Sequence, residues 1–463
     1  MNKVHPVDQK LPLGQTFLYG LQHVLAMYAG AVAVPLILAN ALGLTTEQLV
    51  HLIDADLFTC GIATLIQTLG PCKIGSRLPI LQGVTFAAVT PMVMIGKEGG
   101  LTDIYGAVII SGLLVFFIAP FFSRLLRFFP PVVTGSVITI IGISLLPVAV
   151  RWAGGGNPAA KDFGDIPSLL LALFVLVIII VLYRCFSGFI RNVSVLLGLI
   201  IGTIVSMFLG RTDFSAIGNA GWFGITTPMM FGFPTFDIAA ILAMILVMLV
   251  VMTETTGDFI AVGEIVGKPI NKEVLTRGLR ADGLSSFLGG IFNAFPYTAF
   301  AQNIGLIGLT GVKSRFVVAG SGVILVALGL FPKLAALVAC IPAPVLGGAG
   351  MAMFGMVAAN GIKTLSKVNF EGNFNMLVVG VSLAMGLMPM AVPNIYSHLT
   401  GAMQIIFNSG ITIGSLTAII LNALLNKNVE SPIIADVKKS DVQPEDGVGL
   451  KEKDAIDAVE SGR

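Results

Sequence analysis

Long apolar stretches separated by short polar punctuation run through almost the whole chain, and they set its architecture. Runs such as 168-SLLLALFVLVIIIVLY-183 and 238-IAAILAMILVMLVVM-252 approach the ~17–25 residues that an α-helix needs to cross the hydrocarbon core of a bilayer. Reading apolar segments between Gly, Pro and charged positions gives fourteen, at roughly 16–40, 51–70, 78–96, 104–122, 131–150, 167–183, 190–209, 238–262, 274–294, 297–311, 316–338, 343–361, 372–392 and 400–425. The tenth is anomalous. In 296-PYTAFAQNIGLIGLTG-311 the apolar run is short, Gln302 and Asn303 interrupt it, and Gly305, Gly308 and Gly311 fill its second half. Such a stretch reads as half a span, whose bared N–H and C=O groups need protein or a cavity around them.

Composition agrees with lipid as the solvent. Only 11% of the 463 residues are charged and the mean hydropathy is +0.92, against about 25% charged in soluble proteins. The net charge of +2 says little; its distribution says more, because short cytoplasmic loops are enriched in Lys and Arg. With both termini inside, the loops after even-numbered spans hold fifteen of them, including Arg124, Arg127, Lys268, Lys313, Arg315 and Lys427, against five in the outer loops. One miscounted span would invert everything after it. The expected organisation is a cytoplasmic segment 1–15 without a cleavable signal, a first set of seven spans over 16–209, an outer loop 210–237, a second set over 238–426, and a polar, largely disordered cytoplasmic tail 427–463.

The two sets share a pattern. The segments 131-PVVTGSVITIIG-142 and 344-PVLGGAGMAMFG-355 both carry Pro-Val and two matching Gly, 213 residues apart, while Pro79 of 79-PILQGVTFAAVT-90 and Pro296 stand 217 apart. These are spans 5 and 12, and spans 3 and 10. A repeat of seven spans, an odd number, inverts the second copy in the membrane. Inverted repeats with a site at the midplane, between interrupted Gly- and Pro-rich spans, are a recurring architecture of secondary transporters. The predicted fold is therefore all-α and polytopic, with short extended segments interrupting spans 3 and 10.

Ionisable residues inside spans cost roughly 2.5–3.5 kcal/mol each on permissive scales, so they are candidates for function. Glu254 and Asp258 share one helical face in 250-VVMTETTGDFIAVGEI-265; Asp282 lies in span 9 and His23 in span 1. A carboxyl among apolar walls favours its neutral form, so Glu254 is suited to carry a proton and exchange it with one side of the membrane. Each has a second reading as a hydrogen-bonded helix tie. Asp54 and Asp56 are expected at the outer interface of span 2, and Glu264 at the cytoplasmic rim. The chain carries no HExxH zinc motif and no GxxxxGK[ST] nucleotide loop, and its four Cys (Cys60, Cys72, Cys185, Cys340) are scattered. No enzyme chemistry, metal or cofactor is expected, and an ion gradient is the expected source of power.

The stretch 302-QNIGLIGLT-310 resembles the signature of the nucleobase–ascorbate transporters, and 22-QHVLAMY-28, 82-QGVTFA-87, 254-ETTGD-258, 281-ADG-283 and 344-PVLGG-348 are similar to further features of that family. Together they cover most of the membrane portion, and the likeness is greatest to the family's bacterial xanthine and uric acid permeases. The resemblance implies a core domain (spans 1–4 and 8–11), a gate domain (spans 5–7 and 12–14), a homodimer in the bacterial cytoplasmic membrane, and proton symport of a purine. It implies that Glu254 and Gln302 bind the base, and that Asn303 organises the half-span. Asp282, His23 and Asp258 would then support proton coupling, and backbone near Phe86 and Phe300, with an aromatic face, would complete the site. The family's uracil carriers tend to have Glu at the place of Gln302, and its strictly xanthine-selective members tend to have Asn at the place of Ala87. The first feature favours a purine, and the second weakens a xanthine-only reading and leaves room for the extra C8 oxygen of uric acid. The alternatives are another nucleobase or ascorbate, an anion exchanger of the same architecture, and a passive channel.

Overall fold

The computed structural model describes residues 4–122, 128–371 and 374–426. Arg124, Arg127, Lys427 and the tail 427–463, used above to orient the chain, lie outside the described residues. The helices follow the hydropathy: α1 Leu13–Leu42, α2 Thr46–Leu69, α3 Val89–Ile118, α4 Pro131–Ala153, α5 Ile166–Cys185, α6 Ser194–Phe208, α7 Ile238–Val266, α8 Lys272–Ile291, α9 Ala301–Thr310, α10 Arg315–Leu328, α11 Pro332–Ala339, α12 Ala343–Leu365, α13 Asn375–Ala391, α14 Gly401–Phe407 and α15 Gly410–Leu425. Among the described residues, two three-residue strands interrupt this helical pattern: β1 Gln82–Val84 before α3 and β2 Tyr297–Ala299 before α9.

Among the described residues, seven helical segments are long and apolar enough to cross a bilayer. The eleventh apolar segment, read as one span, is bent by 83° between α10 and α11, and the fourteenth is broken between α14 and α15. Gly100 breaks α3 with a φ of 83°. Beyond it Ile104 returns against Gly96, where an added Cβ would meet its side chain at 2.9 Å; eight residues of straight helix would separate the two by about 12 Å. The chain thus turns back on itself between the third and fourth apolar segments. Helix α2 begins earlier than its apolar stretch because Thr45 and Gln48 form a capping box. Asp56 consequently sits about 15 Å along the helix. It is 1% exposed and lies inside the protein rather than at the interface the sequence suggested; Asp54, 6% exposed, is also buried but lies nearer the start of the helix.

Glycine contacts display the inverted repeat. At one crossing Gly61 of α2 meets Gly322 of α10, where added Cβ atoms would lie 2.5 and 2.9 Å from the opposite carbonyl oxygens. At the other Gly112 of α3 meets Gly283 of α8, with corresponding separations of 2.9 and 2.7 Å. In repeat terms these are one crossing made twice: span 2 on span 11, and span 9 on span 4. Close backbone approach through small residues is the usual way helices associate in lipid, where apolar burial supplies no drive. A third seam joins the matched spans α4 and α12. Cβ atoms on Gly142, Gly361 and Gly347 would lie 2.2 Å from Ala358 N, 2.3 Å from Thr139 N and 2.3 Å from Ala153 N respectively.

The strands pair antiparallel, Gln82 with Ala299, Gly83 with Thr298 and Val84 with Tyr297. Two flanking bonds frame them, Thr85 N to Pro296 O at 3.1 Å and Phe300 N to Leu81 O at 2.9 Å. Those bonds exchange under an offset of 215, which corrects the alignment of Pro79 with Pro296: Leu81 is the true mate of Pro296. Ala87 thereby becomes the mate of Gln302, each in the first turn of a half-helix.

Gly142→Ala should lower stability by about 1–3 kcal/mol, because its methyl group collides with backbone. Its repeat mate Gly355 has open space around it, so Gly355→Ala should be neutral or stabilising by up to about 1 kcal/mol. Thermal midpoints of the detergent-purified variants check both signs.

Candidate functional site

The strand crossing holds two half-helices with their N-terminal turns at its ends. Thr85 Oγ1 accepts from Ala87 N at 3.2 Å and caps the first turn after β1. Phe300, which precedes α9, provides no side-chain cap, so the first N–H groups of α9 keep their capacity for a ligand.

Buried side chains tie this crossing to the surrounding helices. Asp282 Oδ1 accepts from Gln82 Nε2 at 2.9 Å and from Gln67 Nε2 at 3.3 Å. Tyr297 Oη donates to Asp56 Oδ1 at 2.9 Å. The backbone N–H of Gln82 donates to Thr64 Oγ1 at 3.1 Å and that of Tyr297 to Ser286 Oγ at 3.0 Å. Gln82 and Tyr297 are mates under the 215 offset. Each strand therefore reaches from its own repeat to a carboxylate of the other. Gln67, Gln82, Tyr297 and Asp56 were not singled out from sequence as site-supporting residues; a lone Gln within the apolar run of α2 was the available signal.

Asn303 is 2% exposed. Its amide nitrogen donates to His23 O at 2.8 Å and contacts His23 Nδ1 at 3.0 Å. A carbonyl oxygen only accepts, so it fixes the amide with its NH2 toward His23. His23 Nδ1 must then accept, which leaves the ring proton on Nε2. This places Asn303 and His23 together, holding α9 against α1, as a supporting pair beside the half-helix.

Glu254 and Asp258 lie on a partly exposed face of α7 that continues through exposed Gly257 to exposed Glu264. Thr255, its neighbour, shares a 2.8 Å hydrogen bond with Thr298 of β2, and this sets Glu254 at the level of the crossing. On α9 the exposed positions are Ala301, Gln302, Gly305, Gly308 and Leu309, and Gly257 and Gly305 have open space where a Cβ would be. Glycines and carboxylates would be a poor lipid face, so these surfaces are the walls of a candidate polar groove. It runs from the strand crossing toward Val266 and Thr310. Glu254 can accept from ring N–H groups, and the Gln302 amide offers one donor and one acceptor: together they suit a planar molecule with alternating N–H and C=O groups.

The remaining candidates divide. Ala87 is buried and presents a methyl where its mate presents an amide. Phe86 is partly exposed and meets Phe354 of α12 edge-on, ring centres 6.0 Å apart. Phe300 is 4% exposed. Its ring fills the space over Gly83 and Gly30, where Cβ atoms would approach it to 2.2 and 2.7 Å. Its ring is a packing wedge, so of these two rings Phe86 is the one with an open face.

Similar proteins were found at three levels. The model of the permease family Xan_ur_permease matches residues 14–395. The xanthine permease of Bacillus subtilis is 49% identical over 89% of this chain and 94% of its own length. The uric acid permease PucK of the same organism is 48% identical over 92% and 98%, and the uric acid transporter UacT of Escherichia coli is 46% identical over 91% and 88%. Among solved structures, the transmembrane domain of a cyanobacterial bicarbonate transporter, BicA, superposes with a TM-score of 0.58 at 16% identity, covering 90% of this chain and 100% of that one. SLC26A9 gives 0.60 at 13%, over 89% and 66%. At such identity these structures share the fold alone.

Tyr297→Phe and Gln82→Leu each strip a donor from a buried carboxylate. Each should cost about 1–3 kcal/mol of thermal stability. Asp56→Leu combined with Tyr297→Phe should recover part of the loss, since no unpaired acceptor remains; a double-mutant cycle in detergent reads the coupling.

Proposed function

The chain belongs to the nucleobase–ascorbate transporter family and is a multi-pass membrane permease, and from that premise we propose that it imports a purine, xanthine or uric acid, together with a proton. The observation that carries this reading is the placement of Glu254 and Gln302 on the open faces of α7 and α9, beside the strand crossing. An oxopurine has N–H donors and C=O acceptors around a planar rim. Glu254 takes an N–H and the Gln302 amide pairs with a donor–acceptor edge. The names of the relatives, a xanthine permease and uric acid permeases at 46–49% identity, support the same class of substrate. Ala87 leaves space near the ring for the extra oxygen of uric acid.

Glu254, Asp258 and Asp282 give the site carboxylates and no Lys or Arg, which favours a proton over an anion as the partner in transport. Glu254 loads the proton with the base, and Asp282, held by Gln82 and Gln67, supports it. The spans of the core then move against α4 and α12, first opening the site outside and then inside. One proton moving inward across 100 mV is worth roughly 2.3 kcal/mol, about fifty-fold accumulation of substrate. The protein works in the cytoplasmic membrane with both termini inside, as a homodimer, and needs no cofactor.

Uptake of labelled xanthine and uric acid into cells lacking their own purine permeases tests this. We expect accumulation above equilibrium, competition by either purine but not by uracil, and loss with a protonophore. Glu254→Gln should reduce accumulation at least tenfold. Equilibration that ignores the protonophore would identify a facilitator, and absence of purine uptake would remove the substrate assignment.

A further inference from the structure

A second polar cavity, of about 190 Å3, lies at the opposite end of the molecule from the mouth of the groove. Glu47, His51 and Asp54 line it from one face of α2, Thr226 from the loop that joins α6 to α7, and Gly329 from the bend between α10 and α11. The opposite placement follows from connectivity. The groove runs toward the end of α9, beside the start of α10, where Arg315 donates to Thr68 O at the end of α2 at 2.9 Å; the cavity is at the start of α2 and the end of α10. By the loop charges, this is the outer side.

The cavity is built rather than incidental. Asp54 is 6% and Thr226 4% exposed. Asp54 Oδ1, Thr226 Oγ1 and His51 Nε2 are all buried without a hydrogen-bond partner among the described residues. Such atoms are costly when left unpaired, so water or a ligand belongs with them. The backbone encloses them closely: a Cβ on Gly329 would lie 2.6 Å from Asp54 O, and Gly224 N donates to Leu330 O at 3.1 Å, pinning the loop over the site. The His51 ring rests against Phe231, centre to centre 5.6 Å. Exposed Glu47 stands at the mouth.

The donor set selects the ligand. Two carboxylates and an imidazole with no cationic side chain in the lining exclude an anion. A hard metal ion needs six or more oxygens, whereas the buried unpaired oxygens here are two, and no group of three metal-binding side chains occurs among the described residues. An imidazole and a carboxylate joined by water hold a proton well, and the cavity has room for several waters. The surroundings leave that proton to them. Tyr28 of α1 interacts electrostatically with Asp54. The loop and the bend add no titratable lining residue, and Lys333, just beyond, has its amine 4.2 Å over the ring of Trp222.

We propose that this cavity is the outer proton-loading site of the transporter, with His51 and Asp54 holding one proton taken from the external medium. The proposal rests on the reading of the protein as a proton symporter. The proton arrives as hydronium, leaves its water in the cavity, and passes inward through water and side chains; no other bond changes. Asp56, two residues along α2 and bonded to Tyr297 of β2, joins this end of the helix to the strand crossing.

The test measures initial uptake of labelled xanthine against external pH for the wild type, Asp54→Asn and His51→Gln, with exchange of labelled for unlabelled xanthine at equal pH on both sides as the companion readout. We expect half-maximal wild-type uptake to shift about one pH unit lower in Asp54→Asn, a tenfold loss of apparent proton affinity. His51→Gln should move the same way by at least threefold, and exchange in both should stay within threefold of wild type. An unchanged pH profile in the variants overturns the proposal, as does equal loss of uptake and exchange, which marks a structural role. Should Asp54→Asn fail to reach the membrane, the profile of His51→Gln decides. Variants that alter dependence on external Na+ at fixed pH would identify a metal-ion site and overturn it too. A wild type whose uptake survives a protonophore fails the coupling reading itself; a sensitive wild type with unshifted variants fails the loading site alone.

Discussion

The pairing of β1 with β2 is the constraint on which the rest of this structure depends. Six residues of extended backbone at membrane depth would leave N–H and C=O groups without partners, each costing several kcal/mol in hydrocarbon. The two strands satisfy one another, and the flanking bonds from Thr85 and Phe300 extend the pairing to the half-helices. With that satisfied, the chain can start helices in the middle of the membrane and aim their N-terminal turns at a ligand. The ties from Gln82 to Asp282 and from Tyr297 to Asp56 brace the crossing against α8 and α2.

Glycine makes this arrangement possible twice over. Gly83 and Gly30 admit the ring of Phe300, which locks β2 over β1 and α1, while Gly61, Gly112, Gly283 and Gly322 let helices of opposite repeats touch backbone to backbone. The glycines of the groove have the opposite role. Gly257 and Gly305 have nothing near them, so they keep space beside Glu254 and Gln302. The seam between α4 and α12 is close along its length, whereas the groove side of α7 and α9 is open. Rigid contact and vacant polar surface thus lie side by side in one molecule.

Much of this was legible in the sequence, for a physical reason: lipid makes polar residues conspicuous. Gln302, Asn303 and Glu254 stand out because apolar neighbours surround them, and the half-span betrayed itself by length and glycine content. Asp56 was misplaced because a capping box extends α2 through a polar stretch that hydropathy assigns to a loop. The partnership of Tyr297 with Asp56 joins residues 241 apart, and no local pattern encodes it. The ring of Phe300 is a wedge because Gly83 and Gly30 make room for it, contacts that no local pattern encodes. The repeat was visible from its prolines, yet the strand bonds set its offset two residues shorter. Helix positions follow local rules; the site's supports depend on contacts between repeats.

The most direct measurement is an experimental structure of the purified protein with xanthine or uric acid bound. The account predicts the purine beside the strand crossing, its rim hydrogen-bonded by Glu254 on one edge and Gln302 on another, with Phe86 against a ring face and Phe300 buried over Gly83. A purine bound away from α7 and α9, or one with Glu254 and Gln302 beyond hydrogen-bonding reach, would contradict it.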